Sequence, residues 1–434
     1  MKKLFLLGCF LGFVFIADAQ LKGVLDRMKQ RAKDKATQKT NTTADNTVDS
    51  AFSKSEKAAK DVVKEITTKD STKKKAADSS GVNNNNSSSN NTTNGPTPLK
   101  AYSKYDFVPG EKIIVFEDFM QDAIGDLPDK WNTNSSAETV TIEGQQGRWM
   151  KMSRPGVLMP EFIDSLPPDF TLEFDMMVDK PSGSWGLIPL FAELDNRDKP
   201  QDWRESKNYF SLTILTPGED GNAYSDYDKK KMGDIEHQPG VKITSFADIS
   251  KPVHVAMWRQ KERLRIYLNE DKTWDIPKAI DQQAKLNSFI LFIQLMGNWS
   301  YYVSNLRLAV GAPDTRKKIL EQNKWVTHGI LFDVNSDKIK PESYGTLKEM
   351  ANVLKENPDL RVKIVGHTDA DGSDAANLDL SQRRSAAVKV ALAKEFGIDE
   401  NRMETDGKGE SEPIDNNTTP PGKANNRRVE FIKI

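Results

Sequence analysis

Asp369 and Arg384 are the residues of this chain whose types and spacing best fit a recognition chemistry. The carboxylate sits in Gly366-His367-Thr368-Asp369, just after a β-branched run. The guanidinium follows fifteen positions later in Leu380-Ser381-Gln382-Arg383-Arg384, at the expected first turn of a helix. One fixed acceptor and one fixed planar donor form a two-handed receptor for a ligand that carries an ammonium and a carboxylate on the same carbon. A helix N-terminus at Arg384 would itself favour an anion. Taken alone, such a pair is more often an ordinary salt bridge, so the surrounding elements decide.

Those elements are legible. Residues 330–334 and 362–365 are short β-branched runs that predict strands. Between them Leu347, Met350, Ala351 and Leu354 recur at helical spacing behind Pro341, a favoured first-turn residue, and Asn357-Pro358 ends the helix. Ala387, Val388, Ala391 and Leu392 give a second helix its buried stripe, with Gly397 as its stop. Late strands at Met403 and Val429 complete a compact α/β sandwich.

The segment from about 330 to 434 resembles the peptidoglycan-binding OmpA-like family, the C-terminal domain of OmpA-type outer-membrane proteins. The blocks that carry the resemblance run in the family's order: Phe332-Asp333-Val334-Asn335-Ser336, Pro341-Glu342-Ser343, Gly366 to Gly372, Asn377 to Arg384, Gly407 to Pro413, Gly422-Lys423-Ala424 and Asn426-Arg427-Arg428-Val429. The resemblance implies that Asp369 holds the ammonium of diaminopimelate in the stem peptide and Arg384 its carboxylate. It also implies that Asn335, Thr368, Asn377 and Arg427 complete the pocket. Arg427 has a second reading, as a tie for the last strand. Two positions depart from the pattern, Ser385 for the usual Ala and Lys408 for a common aromatic. Neither touches the charge pair.

The whole chain is long enough for two or three domains. With 62 basic and 63 acidic residues the formal net charge is −1, so the charge balance points to no nucleic-acid partner. Lys2 and Lys3, the apolar run from Leu4 to Ile16, and Ala17-Asp18-Ala19 predict a signal peptide over 1–19 and a mature start at Gln20. Leu6-Leu7-Gly8-Cys9 looks like a lipobox but falls inside the apolar run rather than at its end, so cleavage after Ala19 is favoured over lipidation. Residues 20–98 read as a low-complexity linker with short helices, and the Asn/Ser-rich stretch after Asn83 reads as disordered.

Residues 99–313 predict an all-β sandwich, similar in fold to a laminin-G or concanavalin-type jelly roll. Val253 to Trp258 and Leu264 to Leu268 form its clearest hairpin. Some glycosidases of that fold place three carboxylates on one strand. Glu173-Phe174-Asp175-Met176-Met177 supplies two and then a methionine, which argues against hydrolysis and for an outward polar face opposite Leu172, Phe174 and Met176. A transmembrane barrel fits poorly, since the runs are short and broken by charges such as Asp228-Lys229-Lys230-Lys231. Trp185, Trp203 and Trp299, if exposed, would make a glycan platform. Four histidines without ligand spacing predict no metal, and Asp195-Asn196-Arg197-Asp198 reads as an acidic turn before it reads as a calcium loop.

The expectation is therefore a multidomain, non-enzymatic envelope protein, exported to the periplasm or outer membrane. A jelly-roll sandwich precedes an OmpA-like domain over 314–434, and no cofactor is expected. Peptidoglycan is the expected partner of the second domain, and a glycan or an envelope protein that of the first. The alternative is a glycan or cell-wall hydrolase targeted by its OmpA-like domain.

Overall fold

The computed structural model describes residues 105–434 apart from 181–185, 219–220, 295–298 and 312–314. The expected signal peptide, Cys9, the linker over 20–98 and Trp185 lie outside the described residues.

Fifteen strands among the described residues build the first part of the fold. They are β1 (Lys112–Glu117), β2 (Trp131–Thr133), β3 (Ala137–Val140), β4 (Trp149–Met152), β5 (Gly156–Pro160), β6 (Asp169–Val178), β7 (Gly186–Ala192) and β8 (Tyr209–Leu215). There follow β9 (Ala223–Lys231), β10 (Asp234–Ile243), β11 (Val253–Gln260), β12 (Arg263–Leu268), β13 (Asp271–Ile276), β14 (Ser288–Ile293) and β15 (Tyr301–Val310). They form two antiparallel sheets, ordered β13-β12-β11-β6-β15-β4-β3, with β1 also on β15, and β10-β9-β8-β7-β14-β5-β2. Both sheets have edge strands, so this is a two-layer sandwich and not a closed barrel.

Alternation along β6 shows how the sheets face each other. Leu172, Phe174 and Met176 enter the shared core, where Phe170 meets Phe191 of the other sheet at 5.2 Å and Phe174 meets Phe289 at 6.1 Å. Trp203 is buried at 2% exposure, edge-on to Tyr209, and Trp299 packs partly buried on the core. Trp203 therefore offers no glycan platform; an indole is mostly apolar surface, and here it is covered.

The second part comprises α1 (Thr315–Glu321), β16 (Lys324–Thr327), α2 (Tyr344–Glu356), β17 (Val362–His367), α3 (Asp374–Phe396), β18 (Met403–Gly409), α4 (Pro420–Asn426) and β19 (Val429–Lys433). Its sheet runs β16-β19-β17-β18, with only β17 and β18 parallel. Leu347, Met350 and Leu354 of α2 and Val388 and Leu392 of α3 pack on Val362, Ile364 and Phe431 of the sheet. The expected opening strand at 330–334 is absent. That stretch makes one isolated bridge, Phe332 with Ile339, because the polar run after Phe332 turns through Asn335 at a φ of 53°. The strand that fills the edge lies earlier, at Lys324–Thr327, where Trp325 stacks on Phe431.

The outward face of β6 is polar as expected, and it is covered rather than open to solvent. Glu173, 2% exposed, takes a bidentate pair from Arg307 at 3.0 and 2.6 Å. His254 bridges Asp175 at 2.7 Å and Glu173 at 3.3 Å. The second part of the fold covers this cluster: Arg307 also donates to the His328 carbonyl, and His328 Nε2 donates to the Asn425 carbonyl. Nearby, a Cβ on Gly345 of α2 would sit 2.1 Å from the Phe107 carbonyl oxygen, so that helix abuts the segment before β1 directly. Phe107 meets Trp258 and Tyr267 edge-on, and Tyr344 closes the cluster. The two parts share buried surface. Among the described residues no helix is long and apolar enough to cross a membrane.

Candidate functional site

β17 ends at His367 and delivers Thr368 and Asp369 to the rim of the sheet. His367 N–H donates to the Arg428 carbonyl and Thr368 N–H to the Gly409 carbonyl, which fixes the loop between β18 and β19. Asp369 is 8% exposed; its Oδ2 accepts from Arg427 Nη1 at 2.5 Å and its Oδ1 from the Asp371 N–H at 3.2 Å. A carboxylate has about four lone-pair sites, so this one keeps acceptor capacity for a ligand ammonium.

Asn377 staples the loop. Its side-chain amide donates to the carbonyls of Asp369 and Asp371 at 3.3 and 3.1 Å and also reaches Glu410. The loop's outer side is held by Lys423, paired with Asp371 at 2.7 Å, and by Asn417, which accepts from the Ala370 N–H.

Arg384 does not lie in a first helical turn. The Ser373 hydroxyl accepts from the Ala376 N–H and starts α3 at Asp374, ten positions before Arg384. The helix dipole therefore adds nothing there, and Asn377 occupies the first turn instead. Arg384 crosses the face of Phe332 at 4.8 Å and donates Nε to the Ser336 carbonyl at 3.0 Å. That leaves the two terminal nitrogens of its fork without a carboxylate among the described residues. Burial first and the neighbouring Arg427 second lower its pKa to about 10. Asn335 forms the exposed left-handed turn just before Ser336, whose carbonyl accepts from Arg384.

The Asn426-Arg427-Arg428 run divides its labour. Asn426, fully buried, accepts from the N–H groups of Ile414 and Asp415 and donates to the Asp415 carbonyl and Asn417, so it clamps the loop after β18. Arg427 turns to Asp369. Arg428 is buried against Glu430, at 2.8 Å. Burial alone would raise the Glu430 carboxyl, yet His367, Lys324 and Arg428 hold it down at about 2. Sequence reasoning left Asn426, Arg428 and Phe332 without roles; the signal available was their place inside the matching blocks. The Ser385 hydroxyl donates to the Gln382 carbonyl at 2.9 Å, which explains why a serine is tolerated in that buried position.

Thus Thr368, Asp369, Asn377 and Arg427 meet where β17 ends and α3 begins, and Arg384, further along α3, faces the same region beside the Asn335–Ser336 turn. Arg427 is engaged by Asp369, whereas Arg384 has no carboxylate within hydrogen-bond range among the described residues, which suits a ligand with an anionic group.

Comparison with known proteins places the C-terminal segment in a family. Residues 331–427 match the OmpA family model, and this C-terminal part is an OmpA family domain. Outer membrane porin F of Pseudomonas aeruginosa is 42% identical over 101 residues, 23% of this chain and 29% of that protein. The probable lipoprotein YiaD of Escherichia coli is 43% identical over 104 residues, 24% of this chain and 47% of that protein. The peptidoglycan-binding protein ArfA of Mycobacterium bovis is 40% identical over 108 residues, 25% of this chain and 33% of that protein. The chain spans less than half the length of each of these relatives. Among solved structures, the peptidoglycan-associated lipoprotein from Burkholderia pseudomallei aligns with 28% of this chain and 98% of its own, at 26% identity and a TM-score of 0.24.

Proposed function

We propose that the protein is a non-catalytic component of the cell envelope that binds peptidoglycan non-covalently through the diaminopimelate of the stem peptide. Asp369 receives the ammonium and Arg384 the carboxylate. Thr368 and Asn377 set the loop, Asn335 borders the carboxylate side, and Arg427 shares the anionic end while orienting Asp369. The β-sandwich is thereby held at the cell wall, between the periplasm and the outer membrane, where it meets a glycan or an envelope protein. The observation that carries the reading is the Arg384 guanidinium, hydrogen-bonded among the described residues only to the Ser336 carbonyl, near the Asp369–Arg427 pair. The likeness of this segment to a protein named for peptidoglycan binding supports it. Against a hydrolase stands the pairing of Glu173 and Asp175 with Arg307 and His254, which leaves those carboxylates neither free nor exposed.

Sacculus pull-down with Asp369→Ala and Arg384→Ala tests the reading. A charge-assisted hydrogen bond contributes about 1.5–3 kcal/mol, so each change should weaken binding about tenfold or more while thermal unfolding shows an intact fold. Walls with lysine at the third stem position should bind less well, because lysine there lacks the carboxylate assigned to Arg384. Unchanged binding by a folded Arg384→Ala protein would sink the mechanism.

A further inference from the structure

We propose that Phe116, a residue of the β-sandwich, is a positioning residue of the peptidoglycan site and acts through Arg427; this rests on the function proposed above. The Arg427 Cζ lies 5.0 Å from the centre of the Phe116 ring, within the range in which a guanidinium is attracted to an aromatic face. The same guanidinium holds Asp369 at 2.5 Å. A ring on the sandwich, a cation and the acid of the pocket therefore form one continuous chain of contacts.

The ring is placed by more than its own contact. Asn425, two residues before Arg427, accepts from the Ile113 N–H at 3.0 Å and returns a hydrogen bond to the Ile113 carbonyl at 2.9 Å. Ile113, Ala309 and Ala424 are buried together, with Phe116 packed against them. β1 is in turn registered on β15, with Phe116 opposite Arg307. The strand that carries the ring and the helix that precedes Arg427 are thus fixed to each other by two hydrogen bonds between the Asn425 side-chain amide and the Ile113 backbone.

An aromatic face suits this task for a physical reason. The side chain of Arg427 is 36% exposed and long, so some group must restrict it if Asp369 is to be met in one geometry. A carboxylate in that place would compete with Asp369 for the guanidinium, whereas a ring attracts the cation without occupying its N–H donors. The second cation of the site follows the same pattern: Arg384 lies over Phe332 at 4.8 Å. One of the two backing rings belongs to the OmpA family domain and the other to the sandwich. The sandwich is therefore part of the binding site as well as its cargo.

The test uses the full chain and purified diaminopimelate-type sacculi, with dissociation constants from pull-down and a thermal melt for every variant. Phe116→Ala should weaken binding roughly three- to tenfold. Phe116→Tyr should bind within about twofold of the unaltered chain, since the ring face is kept. Phe116→Leu separates packing from ring electrostatics; it fills most of the space, should melt as the unaltered chain does, and should bind as weakly as Phe116→Ala. In an Arg427→Ala background, Phe116→Ala should add no further loss. Full binding by Phe116→Leu, or an undiminished effect of Phe116→Ala without Arg427, would overturn this inference while leaving the proposed function intact. Failure of the unaltered chain to bind sacculi would remove both.

Discussion

Arg427 and Arg428 are adjacent and chemically identical, yet the fold assigns them different work. The Arg427 side chain is 36% exposed and faces the pocket; the Arg428 side chain is 2% exposed and faces Glu430, itself 3% exposed. The alternation is that of a chain turning into a strand, where successive side chains point to opposite sides. Removing one partner of a buried pair leaves an uncompensated charge at a cost of about 3–5 kcal/mol. Lys324 still reaches Glu430 at 2.7 Å, so Arg428→Ala should cost about 3 kcal/mol, at the lower end of that range. Urea unfolding followed by tryptophan fluorescence measures it. A loss near zero would mean that Arg428 does not secure β19.

At the scale of elements, the site depends on how closely α3 lies on β17 and β18. A Cβ on Gly366 would fall 2.3 Å from the Ser381 carbonyl oxygen, and one on Gly407 would fall 2.4 Å from the Gln382 backbone nitrogen. Ser381 is buried in the same contact, and its hydroxyl accepts from the Gly409 N–H at 2.9 Å. Any larger residue pushes the helix off the sheet, and with it Asn377 and Arg384. Gly366→Ala should therefore cost about 1–3 kcal/mol from overpacking and also weaken sacculus binding, because Thr368 and Asp369 follow immediately. Gly397 provides the control. It ends α3 at a φ of 70° with open space around it, so Gly397→Ala should cost about 1 kcal/mol through backbone strain alone and leave binding unchanged. Paired melts and pull-downs of the two variants check this; equal binding losses would argue against the close packing as the cause.

For the whole molecule, the cluster of Glu173, Asp175, His254 and Arg307 links the sandwich to the OmpA family domain. Burial alone would lower the His254 pKa, but Asp175 and Glu173 outweigh it and raise it from 6.5 to about 10. Burial alone would raise the two carboxyls. Arg307 and His254 nevertheless bring Glu173 below its usual range, as His254 and Asn305 bring Asp175. The raised histidine contributes stability that is fully present below about 6.5 and is lost as the pH climbs towards about 10. The depressed carboxyls contribute stability present above their ordinary values of 4.5 and 3.8 and lost as the pH falls below them. Thermal unfolding across pH should show a maximum between these limits, and His254→Gln should remove the decline on the alkaline side. An alkaline slope that His254→Gln leaves unchanged would assign the effect to another group.

The sequence by itself was enough for the OmpA family domain, its two main helices, the Gly397 stop and the late strands, because these rest on local signals: periodicity, capping residues and blocks of matching residues. It also carried the all-β character of the middle region and the proximity of Asp369, Thr368, Asn377, Arg384 and Arg427. It misplaced the first strand at 330–334 and the start of α3, where a cap at Ser373 and an edge contact between Trp325 and Phe431 outweigh the local pattern. It read Glu173 and Asp175 as an outward polar face and gave no sign that the face is covered. Their burial follows from His254, Arg307 and His328, up to 155 positions away in the chain, and no periodicity along β6 reports a partner at that distance. Phe116 has the same character: as a residue it is one apolar position in a strand. It acquires its relation to Arg427 only when β1 and α4 are brought together, since attraction between a ring and a cation falls away beyond a few ångströms and is decided by tertiary structure alone.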